Sequence, residues 1–323
     1  MLVQSTVAQR TRTLDGAALD ASRLERLLER PIRRLAAENF PGDDVLFLHG
    51  DPRRYEFLDA PELASIEALA KAFAGTDCVR VLPNRLARAG YRDGAAIDAQ
   101  DASMFLDMGM SVWVRDLKSR PLFRELEQRW AEEAGIAPDR LYCQLFVSPP
   151  GARTLRHFDV SQNLVLQLKG TKRWTVAPYD TAARGYPTAE SELIPDETVL
   201  PGQRVLHAQP GDLMCLPFCW WHSTEALTES WSLTIFLQAP TWKTLVEQLI
   251  LARIEQQNGA WAHPVIGLDG DPASRRRLAG ELARLLADIP RVLQSLSPDA
   301  VDGLVDALVR DRDVGQIGAW RQY

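Results

Sequence analysis

Two short segments far apart in the chain constrain its fold most, because they offer metal-binding side chains at a spacing that suits β-structure. His157 and Asp159 flank Phe158. In a strand, residues i and i+2 point to the same side, so an imidazole and a carboxylate would converge while Phe158 turns into packing. His222, 65 positions later (222 − 157), supplies a second imidazole. Two histidines and one carboxylate on one face of an octahedron suit a non-haem Fe(II) ion with open positions.

The sequence between these segments predicts antiparallel hairpins. Residues 161–178 form a strand-like run that turns at Lys169-Gly170-Thr171 before a second strand that contains Trp174. Further on, Pro210-Gly211-Asp212 predicts another turn, followed by a short apolar strand, a turn at Pro217 and the Trp220-Trp221-His222 step.

With these turns and spacings, the region from about Tyr142 to Gln238 resembles the JmjC family of Fe(II)- and 2-oxoglutarate-dependent oxygenases, and it is similar to the bacterial and asparaginyl-hydroxylase-like members. The resemblance implies a double-stranded β-helix (cupin or jelly roll), a mainly β core with α flanks. We expect an N-terminal α/β region packing on the barrel over residues 1–115, a JmjC-like cupin core over 116–240 and a C-terminal helical region over 241–323.

The resemblance assigns the metal ligands and catalytic residues to His157, Asp159 and His222, and the lysine that pairs with the distal carboxylate of 2-oxoglutarate to Lys172, fifteen positions after His157. Charge supports this lysine. Fe(II) with one carboxylate carries a net charge of plus one, and 2-oxoglutarate brings two negative charges, so one more cation keeps the site near neutrality. At about 3 Å and an effective dielectric constant of about 20, such a pair contributes roughly 5 kcal/mol before desolvation.

Three further residues are expected at the cosubstrate. The resemblance implies that the hydroxyl of Thr154 contacts the distal carboxylate and that Asn163 lines the pocket. Thr234 stands where asparaginyl-hydroxylase-like relatives commonly have asparagine, so it is expected near the carboxylate closest to the metal. Cys219 replaces a glycine that precedes the Trp-Trp-His step in some relatives. Taken singly, Thr154 fits an ordinary strand residue and Asn163 an ordinary turn residue.

A competing metal hypothesis uses Cys215, Cys219 and His222 as zinc ligands, with Cys143 or His207 as the fourth. The Cys-x3-Cys-x2-His spacing suits a structural zinc loop poorly, so the iron hypothesis is favoured.

The remaining histidines and tryptophans are expected to be structural. His207 fits a strand histidine, and neither His49 nor His263 lies in a motif that would make it a ligand. Trp174 and the Trp220-Trp221 pair are expected to pack the barrel.

Composition narrows the possible partners and location. A net charge of −6 argues against a dedicated nucleic-acid surface, and Arg275-Arg276-Arg277 fits the solvated face of a helix. The N-terminal segment lacks the apolar core of a signal peptide, and no run of 18 apolar residues occurs, so neither secretion nor membrane spanning is expected. Four scattered cysteines do not form a disulfide framework. We therefore expect a cytoplasmic protein.

Outside the barrel, periodicity predicts alternating elements, and a C-terminal apolar stripe beginning at Leu245 and Leu249 favours a homodimer over a simple barrel cap. The predicted strands are Val45–Leu48 and Cys78–Leu82, and the predicted helices are a leucine-rich segment around Leu24–Leu28, Pro61–Ala74, Pro121–Ala134 and the ranges 275–287 and 300–309.

Three hypotheses about function remain. The first is an Fe(II)- and 2-oxoglutarate-dependent dioxygenase that hydroxylates a side chain of a protein or peptide and releases succinate and CO2. The second is the same chemistry on a small molecule. The third is a non-catalytic metal-binding cupin, which would have no need for the complete ligand set together with Lys172. The sequence leaves the target residue open, and it leaves demethylation open because that reaction begins with the same hydroxylation.

Overall fold

The computed structural model describes residues 44–82 except 56, 57 and 59, then 94–179 and 198–238, and beyond these chiefly 272–287 and 289–294. Contacts divide the chain into two compact units with a boundary at residue 240. The leucine-rich segment around Leu24–Leu28, the start of the stripe at Leu245 and Leu249, His263 and nearly all of 300–309 lie outside the described residues.

The described part of the first unit is an antiparallel β-structure of two sheets, ordered β1-β10-β7-β12-β5-β4-β2-β3 and β6-β11-β8-β9. This confirms the predicted double-stranded β-helix with helical flanks. The strands are β1 (Leu46–Leu48), β2 (Val79–Leu82), β3 (Ala95–Ala96), β4 (Ser111–Val114), β5 (Leu141–Ser148), β6 (Arg153–His157), β7 (Gln162–Lys169), β8 (Lys172–Ala177), β9 (Arg204–Ala208), β10 (Leu213–Leu216), β11 (Trp221–Ala226) and β12 (Ser230–Leu237).

The large sheet extends past the predicted barrel strands. β4 pairs with β5, and β2 and β3 continue the sheet from there, while β1 pairs with β10 at the other edge. The domain boundary at residues 115 and 116 stays a prediction, but strands from both sides of it share one sheet.

The described helices are α1 (Ile66–Ala72), α2 (Ala102–Asp107), α3 (Pro121–Ala134), α4 (Pro272–Leu286) and α5 (Ile289–Gln294). The predicted bounds of α3 are confirmed, since Pro121 occupies its first turn and Gly135, at φ 65°, ends it by donating its N–H to the carbonyls of Ala131 and Glu132.

The prediction of one helix over Pro61–Ala74 was wrong at its start. Pro61–Leu63 form a 3-10 turn, and the α-helix begins only after Ser65. Ser65 has extended backbone angles, and its hydroxyl accepts a hydrogen bond from the N–H of Ala68 at 3.2 Å. This N-cap stabilises a helix start at Ile66.

Strand β12 separates two different environments and is buried along its whole length. Trp231, Leu233, Ile235 and Leu237 belong to the main hydrophobic core, which also contains Phe123 and Trp130 of α3. Residues of the opposite parity lie on the inner face of the large sheet and are mostly polar: Ser230, Ser232, Thr234 and Phe236. The barrel interior therefore carries the polar side chains, while the large apolar cluster lies on the helical side of the sheet.

The Pro210-Gly211-Asp212 turn packs against the residues that follow β1. Asp212 is buried, and its carboxylate accepts the N–H of Gly50 at 3.1 Å and contacts His49 Nδ1 at 3.2 Å. Gly211 has φ 93°, and a Cβ there would lie 2.3 Å from the carbonyl oxygen of Asp51, so the approach requires glycine. His49 is thus bound to a turn outside the candidate site.

The second unit is described through α4 and α5. No described residue of α4 is buried, and Leu282, Leu286 and Leu293 are exposed. Among the helices of the described residues, none is both long enough and apolar enough to cross a bilayer.

Candidate metal and cosubstrate site

The three predicted ligands lie together at one end of the small sheet. His157 ends β6 and pairs in register with His222 on β11. Asp159 Oδ1 lies 4.0 Å from His157 Nε2, and Asp159 Oδ2 lies 3.6 Å from His222 Nε2. One potential ligand atom from each residue lies within 4.8 Å of the others. No other such group of three occurs among the described residues.

Carbonyl oxygens orient both imidazole rings. The carbonyl of Leu155 lies 2.8 Å from His157 Nδ1, and that of Trp220 lies 3.0 Å from His222 Nδ1. A carbonyl can only accept, so each Nδ1 carries the proton and each Nε2 presents its lone pair. Both Nε2 atoms face Asp159. The tautomer with its proton on Nδ1 leaves Nε2 free to bind a metal ion.

Asp159 reaches the site from a loop, which corrects the prediction that His157 and Asp159 share a strand. β6 ends at His157, and the carbonyl of Asp159 accepts the N–H of Cys219 at 3.0 Å instead of joining a ladder. Cys219 has φ 59°, the one non-glycine residue with positive φ among those described. Glycine adopts that conformation without the steric cost that a Cβ brings.

Two polar side chains fix the carboxylate of Asp159. Asn163 Nδ2 donates to Asp159 Oδ2 at 2.6 Å, and the hydroxyl of Ser161 donates to Asn163 Oδ1 at 2.7 Å. Asn163 and Ser161 are both buried. Asn163 is thus in the site as predicted, but its amide contacts a ligand, and its role toward the cosubstrate stays a prediction.

Electrostatics favour the neutral form of His222. Burial, followed by the facing His157, lowers the pKa of His222 to about 4, so its imidazole is neutral at physiological pH and able to bind a metal ion. Burial also raises the pKa of the Cys219 thiol, which keeps it protonated. Cys215 belongs to the core on the helical side of the sheet, so the described residues give the zinc hypothesis no support.

Lys172 lies inside the barrel and is 4% exposed. Its ammonium donates to Ser232 Oγ at 2.9 Å, and no carboxylate of the described residues forms an ion pair with it. Burial lowers the pKa of Lys172 to about 8. An enclosed cation whose partner among the described residues is one hydroxyl would be stabilised by an anion.

The turn before Lys172 places it there. Gly170 has φ 65°, and a Cβ at this position would lie 1.7 Å from the carbonyl oxygen of Glu229, so only glycine fits. The N–H of Thr171 donates to Thr228 Oγ1 at 2.8 Å. These contacts confirm the predicted hairpin turn and fix the start of β8.

The two predicted threonines lie on different sheets. Thr154 on β6 pairs with Thr224 of the small sheet, and Thr234 on β12 pairs with Val165 and Gln144 of the large sheet. No hydrogen bond joins Thr154 or Thr234 to Lys172. Their contacts with the cosubstrate remain predictions.

Sequence reasoning missed Ser161 and Ser232. Ser232 had a usable signal, because Ser230, Ser232 and Thr234 alternate with apolar residues and so share the inner face of a strand. Ser161 had none, since its contact with Asn163 depends on the shape of a loop.

The aromatic residues around the ligands pack as predicted. Phe158 meets Trp221 edge-on at 5.0 Å and Tyr179 at 5.4 Å between ring centroids. Trp174 and Trp220 are buried in the barrel cluster. These rings support the ligand segments from behind.

A model of the JmjC domain family matches residues 123–245. These residues form a JmjC domain. The match confirms the predicted resemblance to this family over these residues. The JmjC domain begins within α3 and includes all three candidate ligands.

Similar proteins include the uncharacterized protein YxbC of Bacillus subtilis, 23% identical over 225 residues that cover 65% of this chain and 64% of that protein. The tRNA wybutosine-synthesizing protein 5 of Danio rerio is 26% identical over 227 residues, 64% of each chain. The alignment thus spans less than two thirds of each relative. Among solved structures, Escherichia coli ycfD is 14% identical with a TM-score of 0.45, covering 85% of this chain and 70% of that one. The ribosomal oxygenase YcfD in complex with cobalt and 2-oxoglutarate is 15% identical with a TM-score of 0.42, covering 82% and 67%.

Proposed function

We propose that this protein is an Fe(II)- and 2-oxoglutarate-dependent oxygenase that hydroxylates a side chain of a protein or peptide. The observation that carries the proposal is that one barrel holds both the triad His157, Asp159 and His222 and the buried cation Lys172, with which no carboxylate of the described residues pairs. The triad suits Fe(II), and the cation suits the distal carboxylate of a diacid.

Charge balance supports the pairing. Fe(II), the Asp159 carboxylate, the two carboxylates of 2-oxoglutarate and the Lys172 ammonium sum to zero. A neutral enclosed site avoids the cost of burying net charge. A monoacid would leave the buried Lys172 without a carboxylate to balance its charge, so the site would discriminate in favour of a diacid.

When bound, Fe(II) supplies the activation of O2, and 2-oxoglutarate is oxidised to succinate and CO2 as a substrate C–H bond becomes C–OH. The chain's own residues would hold and orient the metal ion and the cosubstrate. His157, Asp159 and His222 would occupy one face of the ion, Lys172 and Ser232 would hold the distal carboxylate, and the buried interior would exclude water.

A protein substrate is supported by the exposure of the ligand face. The side chain of His157 is 42% exposed and that of Asp159 is 25% exposed, whereas that of His222 is 6% exposed. In the described part of the chain, the metal face is therefore open to solvent on one side. A side chain carried by a large partner can approach there, while a site built for a metabolite is more often closed.

The test is anaerobic reconstitution with Fe(II), addition of 2-oxoglutarate and O2, and measurement of succinate. We expect turnover by the wild type, none by His157→Ala or Asp159→Ala, and stimulation by the correct substrate. Metal binding without succinate would instead support the non-catalytic cupin. Full turnover by Asp159→Ala would contradict the ligand assignment.

Three substrate pools separate the alternatives: denatured proteome peptides, free amino acids and other small metabolites, and tRNA. Stimulation by peptides alone, with a mass gain of one oxygen on a peptide, supports the proposal. Stimulation by metabolites alone, or by tRNA alone, overturns the protein substrate and leaves the oxygenase chemistry standing.

A homodimer and a cytoplasmic location are part of the proposal. No described residue of α4 is buried, and Leu282 and Leu286 are exposed. These apolar side chains could pack against a second copy of the chain. Deleting residues 241–323 is expected to convert a dimer to a monomer in light scattering. A full-length monomer, or a truncated dimer, would contradict this.

A further inference from the structure

Asn163 lies in a cross-strand row between two apolar neighbours. On the inner face of the large sheet it pairs with Leu216 on β10 and with Phe236 on β12. Asn163 itself is 4% exposed. A buried amide between such neighbours costs free energy unless its polar atoms are bonded. The amide therefore requires an explanation beyond the packing of the row.

Both polar atoms of the Asn163 amide form hydrogen bonds, and these bonds fix which end faces Asp159. Its Nδ2 donates to Asp159 Oδ2 at 2.6 Å, and its Oδ1 accepts from the hydroxyl of Ser161 at 2.7 Å. The carboxylate can only accept, so the NH2 end must face Asp159. Ser161 reinforces this orientation because its hydroxyl supplies the proton that Oδ1 accepts.

As a result, one of the two oxygens of the Asp159 carboxylate is held in a hydrogen bond. Asp159 Oδ2 is held by Asn163, whereas no hydrogen bond of the described residues reaches Oδ1. An octahedral ion with three single-atom protein ligands keeps three positions for other ligands, whereas a carboxylate that binds through both oxygens leaves two. The bidentate 2-oxo acid and O2 together need three.

We propose that Asn163, oriented by Ser161, is a positioning residue that commits Oδ2 of Asp159 to a hydrogen bond and so keeps this carboxylate a single-atom ligand. The inference rests on the proposed function, because it requires a metal ion at the triad. Its effect is to preserve the third open position, which a bidentate carboxylate would occupy.

Mn(II) is the probe, because it binds sites of oxygen and nitrogen ligands and does not support turnover. Electron paramagnetic resonance in 17O-enriched water measures both its affinity and the number of water molecules bound to it. The proteins compared are the full-length wild type, Asn163→Ala, Ser161→Ala and Ser161→Thr. Ser111→Ala is the matched control, since Ser111 is a buried serine whose hydroxyl donates to Ser148 at 2.9 Å, with no bond to the ligands.

We expect three bound waters in the wild type and two in Asn163→Ala, with Mn(II) affinity about 10- to 100-fold lower, the range found for groups that orient a ligand. Ser161→Ala should change both quantities in the same direction by less, Ser161→Thr should restore them, and Ser111→Ala should leave them unchanged. A purely structural role would lower stability without changing the water count.

An unchanged water count and affinity in both Asn163→Ala and Ser161→Ala would overturn the inference. So would an Asn163→Ala variant that loses only 2-oxoglutarate affinity, because Asn163 would then act on the cosubstrate. If Asn163→Ala fails to fold, the two Ser161 variants decide. A wild type that binds no Mn(II) refutes the proposed function itself, which separates the two failures.

Discussion

The main-chain N–H of Cys219 donates to the carbonyl oxygen of Asp159 at 3.0 Å. This bond joins the two ligand segments directly, through backbone atoms, 60 positions apart in the chain (219 − 159). It also explains how Asp159 is held after β6 has ended at His157. The ligand geometry thus depends on a residue that binds no metal and whose backbone is left-handed.

Cys219→Val should therefore damage the site more than Cys219→Gly. An L-residue at φ 59° costs roughly 1–2 kcal/mol, and a β-branched side chain raises that cost. Glycine removes the cost but also removes a buried side chain, so its net effect should lie within about 1 kcal/mol. Urea unfolding and Mn(II) affinity measure the two consequences. Equal stability and affinity in the two variants would show that the conformation carries no strain.

Lys172→Met should abolish 2-oxoglutarate binding and leave Mn(II) binding intact. It should also stabilise the ligand-free protein, because burial lowers the pKa of Lys172 from 10.5 to about 8, so the fold disfavours its charged form by about 3 kcal/mol. Thermal unfolding and isothermal titration calorimetry check both effects. A less stable variant would mean that Lys172 already has a favourable partner.

The affinity for 2-oxoglutarate should depend on pH in one direction. Below about pH 8 the buried lysine of the free protein is charged and affinity is constant. Above about pH 8 the free protein must take up a proton to bind the diacid, so affinity should fall by up to about tenfold per pH unit. Calorimetry across pH 7–10 in buffers of different ionisation enthalpy reveals this uptake. Lys172→Arg, which stays charged, should flatten the profile if it binds.

Ser232→Ala should weaken 2-oxoglutarate binding by about 10- to 150-fold, as expected for one hydrogen bond to a charged group. Ser232 Oγ accepts from Lys172, and none of the described groups accepts its own proton, so a carboxylate can bond to both residues. Ser111→Ala again serves as the control, and the measurement is the dissociation constant at fixed Mn(II). An unchanged constant would place the carboxylate elsewhere along Lys172.

Glu127→Gln should stabilise the protein at alkaline pH. Glu127 is buried on α3 and accepts the N–H of Cys143 at 2.7 Å, and burial raises its pKa to about 7. The fold therefore favours the protonated form, so stability falls as pH rises from 4.5 through 7. The gain from glutamine should be small near pH 4.5 and reach at most about 3 kcal/mol above pH 8. The matched control is Glu125→Gln, the same substitution at an exposed position of the same helix.

The sequence could bring the candidate ligands to notice because part of their signal is local. The two-residue spacing of His157 and Asp159 and the glycine turn at Gly170 are short patterns, whereas the role of Lys172 came from the resemblance to a known family. The bounds of α3 followed from Pro121 and Gly135, which start and stop a helix by their own backbone restrictions. In each case the physical cause lies within a few residues of its effect.

Other features were beyond the sequence because they depend on distant partners. The pairing of β4 with β5 and the addition of β2 and β3 to the barrel sheet are set by tertiary contacts that no short segment specifies. The Ser161 and Asn163 bonds depend on a loop that the N–H of Cys219 holds from the loop between β10 and β11. The prediction of a strand through Asp159 failed for the same reason.

The two faces of β12 bear on how this protein can change in evolution. Each of its residues, from Ser230 to Leu237, is buried. One face belongs to the apolar core, and the other is mostly polar. Because side chains alternate at every step, inserting or deleting one residue inside β12 would reverse the faces of all residues on one side of that point, which would place apolar side chains in the barrel interior and polar ones in the apolar core. Homologues should therefore vary in length at the turns and keep a constant count of residues within this strand.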